Sequence, residues 1–147
     1  MEHRSRGAHI LLVEDNEADV RLIKEAFKES RAVNKFFVAG DGEAAIDYLE
    51  KIGADDEHKR PDMIFLDLNL PKKDGLVVLE EIKSNPLLRS IPVVVLTTSS
   101  AEEHVYKSYH LNANCYITKP VEFDRFVEVV KLIESFWFGI AMLPSVN

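Results

Sequence analysis

The chain has one cysteine in 147 residues, no apolar run long enough to cross a membrane, and fewer basic than acidic residues. A single cysteine excludes an internal disulfide framework and a cysteine-built zinc site. The longest apolar runs fall far short of the ~20 residues of a membrane span. Met1 to Ala8 is polar and lacks the apolar core of a signal peptide, so a cytoplasmic location is expected. Lys plus Arg is 18 against 25 Asp plus Glu, a net charge of −7. That balance argues against non-specific binding to nucleic acid or anionic membrane, which uses basic patches. Repeats, low-complexity stretches and linkers are also missing. The length suits one domain with a real core and leaves little room for a second. Any output is therefore expected from the surface of this domain.

Strand-like and helix-like segments alternate along the chain. His9–Val13 is a continuous apolar run, as a strand buried on both faces requires. Asn16 to Glu29 carries Val20, Ile23 and Phe27 at helical spacing. Lys35–Ala39 is a second strand. Asp41 can cap a helix bearing Ala44, Ala45, Tyr48, Leu49 and Ile52, which Gly53 stops. Met63–Leu66 is the third strand, and Asp74 caps a helix ending near Asn85-Pro86. Pro92–Leu96 is the fourth strand. Ser100 to Glu103 has capping-box spacing and opens a helix to about His110. Tyr116–Thr118 is a short fifth strand, followed by a last helix from Phe123 to about Phe138. Residues 1–8 are expected to be flexible, 9–140 to form the domain, and 141–147 to be a frayed tail. Five strands alternating with five helices predict an α/β fold, a doubly wound parallel sheet with helices on both faces. Ligands of such sheets bind at the carboxyl ends of the strands, near the switch in strand order.

Polar residues gather at those ends. Strand one runs into Glu14-Asp15, strand three into Asp67 and then Asn69, strand four into Thr97-Thr98, and strand five into Lys119-Pro120. Each has a plain alternative: Asp15 as a helix cap, Thr97 as an ordinary strand residue, Asn69 as a turn residue, Lys119 as a solvated cation. Their joint position at one sheet edge favours chemistry. Three close carboxylates cannot all ionise without a cation. Oxygen ligands without clustered His or Cys suit Mg²⁺ or Mn²⁺. A carboxylate held on such a metal can act as a nucleophile and form an aspartyl phosphate. A lysine and a hydroxyl can stabilise the phosphoryl oxygens.

At these residues the sequence resembles the response-regulator receiver domain of two-component signalling. The resemblance runs from His9 to about Trp137 and rests on LLVEDN at 11–16, MIFLDLNLPKKDG at 63–75, VVVLTTS at 93–99 and YITKP at 116–120. It implies a flavodoxin-like five-stranded fold with Asp67 as phosphoacceptor. Asp15 and Glu14 would bind Mg²⁺, Mn²⁺ being a substitute, and the Asn69 carbonyl would add a ligand. Thr97 would bond the phosphoryl group, Lys119 would pair with it, and Tyr116 would be the aromatic switch that reorients when Thr97 moves. The bond before Pro120 would be cis. Two departures stand out. Glu14 replaces the commoner Asp of the acidic pair, and Thr98 is larger than the usual residue there and could narrow access to the phosphoryl group. The donor would be a phosphohistidine on a partner kinase, since none of the five histidines here lies in a donor-like context. The NLPKKDG loop, Ser-Phe-Trp-Phe at 135–138 and the lack of an output domain resemble a narrower group, the stand-alone regulators of cyanobacterial bacteriophytochrome kinases.

On a wheel of about 100° per residue, Phe123, Phe126, Val127, Val130, Ile133 and Trp137 form one arc of the last helix, suited to the sheet. Val129, Leu132, Phe136 and Ile140 widen it beyond the roughly 100° a surface helix needs. The surplus is expected to be covered by a partner, with Tyr106 and Tyr109 of the preceding helix extending the patch. A symmetric homodimer through these two helices and the fifth strand is the expectation, with a tail folding back as the alternative. Two other functions remain open. A phosphatase of the haloacid dehalogenase class also uses a strand-end Asp, a Thr and a Lys. It usually has a second Asp where Asn69 stands, and Asn69 cannot donate a carboxyl proton. A dimerising scaffold with a vestigial site is the third reading. The leading one catalyses only its own phosphorylation and dephosphorylation, and is not an enzyme in the metabolic sense.

Overall fold

The computed structural model describes residues 8–29, 34–52, 59–70, 73–97, 115–119 and 122–145, with side chains of the last helix as far as Ser135. The elements are β1 (His9–Val13), α1 (Glu17–Phe27), β2 (Lys35–Ala39), α2 (Gly42–Glu50), β3 (Met63–Asp67), α3 (Gly75–Ser84), β4 (Val93–Thr97), β5 (Cys115–Thr118) and α4 (Phe123–Ser145). The strands form one parallel sheet in the order β2-β1-β3-β4-β5. The chain therefore moves one way from β1 to β2 and the other way from β3 onward. The crevice at the carboxyl ends of β1 and β3 is the switch point.

Strand alternation divides the core into two layers. Leu11, Val13, Ile64, Leu66, Val93 and Val95 pack with Ala45, Leu49, Val78, Leu79 and Ile82 of α2 and α3. Ile10, Leu12, Phe65, Val94 and Leu96 pack with Ile23, Ala26 and Phe27 of α1 and Phe126 and Val130 of α4. Phe65 anchors the second layer, edge-on to Phe27 at 5.7 Å and to Phe126 at 6.1 Å between ring centroids. β1, β3 and β4 are buried on both faces, which is why they read as unbroken apolar runs. β2 is an edge strand, and Phe37 and Val38 are exposed.

Side-chain oxygens fix the helix starts. Asn16 accepts from the Asp19 N–H at 3.0 Å, Asp41 from Ala44 at 2.8 Å and Asp74 from Leu76 at 2.7 Å. The cap of α1 is thus Asn16 and not Asp15, which leaves the Asp15 carboxylate for other work. The other departures from the sequence reading lie at element ends. β3 extends by one residue and β4 shifts by one, from Pro92–Leu96 to Val93–Thr97, so Asp67 and Thr97 are the last residues of their strands. α2 stops at Glu50, before Ile52. α4 continues past Phe138 to Ser145, through part of the stretch expected to fray. Ala141, Met142 and Leu143 are good helix formers, and Pro144 falls in the final turn. Phe123, assigned to the packed arc, is 40% exposed, because the buried residues of α4 begin one turn later at Phe126. Four helices are seen among the described residues. The helix expected over Ser100–His110, with Tyr106 and Tyr109, lies outside them, as do Thr98 and Pro120 and the side chains of Phe136, Trp137 and Ile140.

Candidate functional site

Among the described residues, three polar or charged side chains are buried: Glu14, Asp67 and Thr97, at 1%, 2% and 0% exposure. All three stand at the carboxyl edge of the sheet. Glu14 follows β1, Asp67 ends β3 and Thr97 ends β4. Burying polar groups is costly without partners, so their coincidence at one edge marks a built site.

One carboxylate oxygen from each of Glu14, Asp15 and Asp67 lies within 4.8 Å of the other two, and Asp15 is the exposed member. Lys119, placed by the end of β5, reaches into the group. Its Nζ donates to Glu14 Oε1 at 2.6 Å, to Asp19 Oδ2 at 2.8 Å and to Asp67 Oδ2 at 3.1 Å. The other Asp67 oxygen, Oδ1, accepts from the Asn69 N–H at 2.8 Å. Both oxygens are thereby held, and the carboxylate has one orientation. The second oxygen of Glu14 accepts from the Asn16 N–H at 3.1 Å. Thr97 Oγ1 donates to Asn69 Oδ1 at 2.9 Å, tying the end of β4 to the turn after β3.

Burial pushes the Glu14 carboxyl up to about 7, against the lowering hydrogen bond from Lys119 and with a further rise from Asp67. For Lys119, burial alone would lower the ammonium. Hydrogen bonds to Asp19 and Glu14, and the charges of Glu14 and Asp67, outweigh it and hold the amine above its usual value. The 2.6 Å bond from Lys119 lowers Glu14, but burial, with the neighbouring Asp67, outweighs it. The pocket carries more negative charge than Lys119 can balance.

The backbone around the site leaves little play. The Lys119 N–H donates to the Thr97 carbonyl at 2.7 Å, the Leu68 N–H to Leu96 at 2.9 Å and the Glu14 N–H to Ala39 at 3.0 Å. At Gly75, the first residue of α3, a Cβ would lie 2.5 Å from Leu68 Cα and 2.8 Å from the Asp67 carbonyl oxygen. Only glycine lets α3 begin against the chain leaving Asp67.

The structure brings Glu14, Asp15, Asp67, Asn69, Thr97 and Lys119 to one edge, as the sequence reading expected. Tyr116 is half-buried, lies opposite Val95 and packs on the α2–α3 layer. Sequence reasoning missed Asp19. Its signal was the spacing Asn16-x-x-Asp19, which puts an acid three residues after a helix cap, facing back toward the strand end. It also missed that the Asn69 side chain, beyond any role of its carbonyl, accepts from Thr97.

The donor set passes the test for a hard divalent cation. It offers three carboxylates, one of them open to solvent so that waters can complete the shell, and a charge surplus that a cation would discharge. Fold and site together define a doubly wound α/β protein that sets a cation pocket and a lysine around one oriented carboxylate. The chain belongs to the response regulator receiver domain family, whose model matches residues 10–131. It is 49% identical over 136 residues to response regulator Rcp1 of Synechocystis sp., covering 92% of each chain. The crystal structure of the Mn²⁺-bound form of Rcp1 shares 50% identity at a TM-score of 0.78, over 89% of this chain and 94% of that one. The phosphorylated cyanobacterial phytochrome response regulator RcpA shares 50% identity at 0.79, with the same coverage. The chain is thus a receiver of two-component signalling, of a family that binds Mg²⁺. No helix among the described residues is long and apolar enough to cross a membrane.

Proposed function

We propose that a partner histidine kinase phosphorylates this receiver on Asp67, and that the phosphorylated form signals through the surface around β5 and α4. The observation that carries the assignment is the Asp67 carboxylate itself. It is buried at the switch point, with one oxygen held by a backbone N–H and the other by Lys119. In the transfer an Asp67 oxygen forms a bond to phosphorus, the bond from phosphorus to the donor imidazole nitrogen breaks, and the imidazole keeps that electron pair. Glu14, Asp15 and Asp67, with the Asn69 carbonyl, are the residues that would hold Mg²⁺, which supplies charge neutralisation at the phosphoryl oxygens when bound. Lys119 turns the proton it gives Asp67 toward the phosphoryl group. Thr97 gives up Asn69 to bond a phosphoryl oxygen, and Tyr116 responds to that shift from the neighbouring strand. Thr98 limits access to the group.

Likeness to Rcp1 and RcpA supports a phytochrome kinase as the phosphodonor. A homodimer through β5, α4 and the segment bearing Tyr106 and Tyr109 completes the reading. Leu132 supports it, being 71% exposed on a helix whose opposite side packs on the sheet, with Val129 half-buried beside it. Phe136 and Ile140 continue that row in sequence. The location is cytoplasmic, where the kinase module would act. Acetyl phosphate with Mg²⁺ should add one hydroxylamine-labile phosphate to the wild type and none to Asp67→Asn. Equal labelling of the two would sink the assignment.

A further inference from the structure

A lysine ammonium has three protons, and here three carboxylates take them: Glu14, Asp19 and Asp67. Two of the three belong to the acid group proposed to hold the cation. Asp19 does not. It sits in the first turn of α1, its side chain is one-third exposed, and its own N–H is bonded to Asn16. This arrangement matters once a cation binds. A divalent ion drawing on Glu14 and Asp67 weakens the pull of both on the ammonium. A lysine stem with four rotatable carbons then has reason to swing out of the site. The remaining tie is the 2.8 Å bond to Asp19, made from a helix and not from the sheet edge. Lys119 is 9% exposed at its side chain, so it occupies the interior position that this tie defines.

We propose that Asp19 is a positioning residue for phosphoryl acceptance: it anchors Lys119 from α1, so that the ammonium stays aimed at Asp67 when the cation takes up the charge of Glu14 and Asp67. The proposal rests on the reading of Asp67 as phosphoacceptor. Asp19 touches neither phosphoryl group nor metal, and acts only through Lys119. An asparagine oxygen at the same place can accept the same hydrogen bond, whereas alanine cannot. This separates an anchor from a mere negative charge.

The test measures phosphate incorporation from acetyl phosphate at saturating Mg²⁺, with Mg²⁺ affinity by calorimetry and urea midpoints as a check on folding. Asp19→Ala should be about tenfold slower, the size of one lost hydrogen bond to a charged group. Its Mg²⁺ affinity should stay within about twofold, since Asp19 is outside the cation group. Asp19→Asn should recover most of the rate. In a Lys119→Met background, Asp19→Ala should cost nothing more. The proposal is overturned if Asp19→Ala is as fast as wild type or faster, if Asp19→Asn is as slow as Asp19→Ala, or if the two losses simply add. A wild type that takes up no phosphate would overturn the Asp67 reading as well. An active wild type with an indifferent Asp19→Ala overturns this inference alone.

Discussion

Removing the Lys119 ammonium isolates the electrostatic logic of the site. In the metal-free protein, Lys119→Met deletes the cation that, among the described residues, lies within 3.1 Å of Glu14, Asp19 and Asp67, while keeping much of the stem's volume. Glu14 and Asp67 are buried, so their charges lose a partner that water cannot replace. Removing one member of a buried ion pair costs roughly 3–5 kcal/mol. Asp19 is one-third exposed, and its share is small. For a domain of this size each kcal/mol lowers Tm by about 3 °C, so a fall of roughly 10 °C is expected at pH 7.5 in EDTA. Two dependences follow. At pH 5, where Glu14 is protonated in both proteins, the loss should shrink. With 10 mM Mg²⁺ most of it should return, because a divalent ion on the same carboxylates replaces the missing charge. Mg²⁺ should therefore stabilise Lys119→Met more than it stabilises wild type. Thermal and urea unfolding in EDTA and in Mg²⁺ would show this. A variant as stable as wild type in EDTA, or one with the wild-type Mg²⁺ increment, would refute the view that Lys119 and the cation balance the same charges.

Three further outcomes follow from the same geometry. Gly75→Ala must displace backbone at Leu68 and Asp67, which cannot yield as a side-chain tip would, so a loss of roughly 1–3 kcal/mol in urea and a slower phosphorylation should appear together. The Glu14 carboxyl titrates near 7 in the folded protein and near 4.5 unfolded, so the fold binds the extra proton between those values. The stability this contributes is full below 4.5 and lost as pH rises through 7. Wild type in EDTA should therefore fall by up to about 3 kcal/mol relative to Glu14→Gln between pH 5 and pH 8, and a flat difference would contradict it. Leu132→Glu places a charge on the exposed row of α4 without touching Phe126 or Val130. If the proposed homodimer forms, sedimentation should show it weakened at least tenfold in this variant with the wild-type urea midpoint retained; a monomeric wild type or an unchanged association would refute that interface.

Much of the protein was determined by the sequence alone. The apolar runs of β1, β3 and β4 read as strands because both of their faces are buried, and Asp41 and Asp74 announced helices that they do cap. The rule that doubly wound sheets bind at strand ends then singled out Glu14, Asp15, Asp67, Asn69, Thr97 and Lys119. These are local properties: side-chain period, cap chemistry and position at the end of a run. Element ends were less legible. α4 outruns its predicted stop, and Phe123 sits outside the packed arc, since packing and not periodicity decides which turn of an apolar helix meets the sheet. What only the tertiary structure decided is the division of labour within the site. The order β2-β1-β3-β4-β5 brings the loops after β1, β3 and β5 together, from residues as much as 105 positions apart. That buries Glu14 and leaves Asp15 exposed, gives the Thr97 hydroxyl to Asn69, and lets Asp19 share the ammonium of Lys119. One cation and several carboxylates can be paired in many ways along a chain. Strand register and helix placement, which are non-local, select one of them.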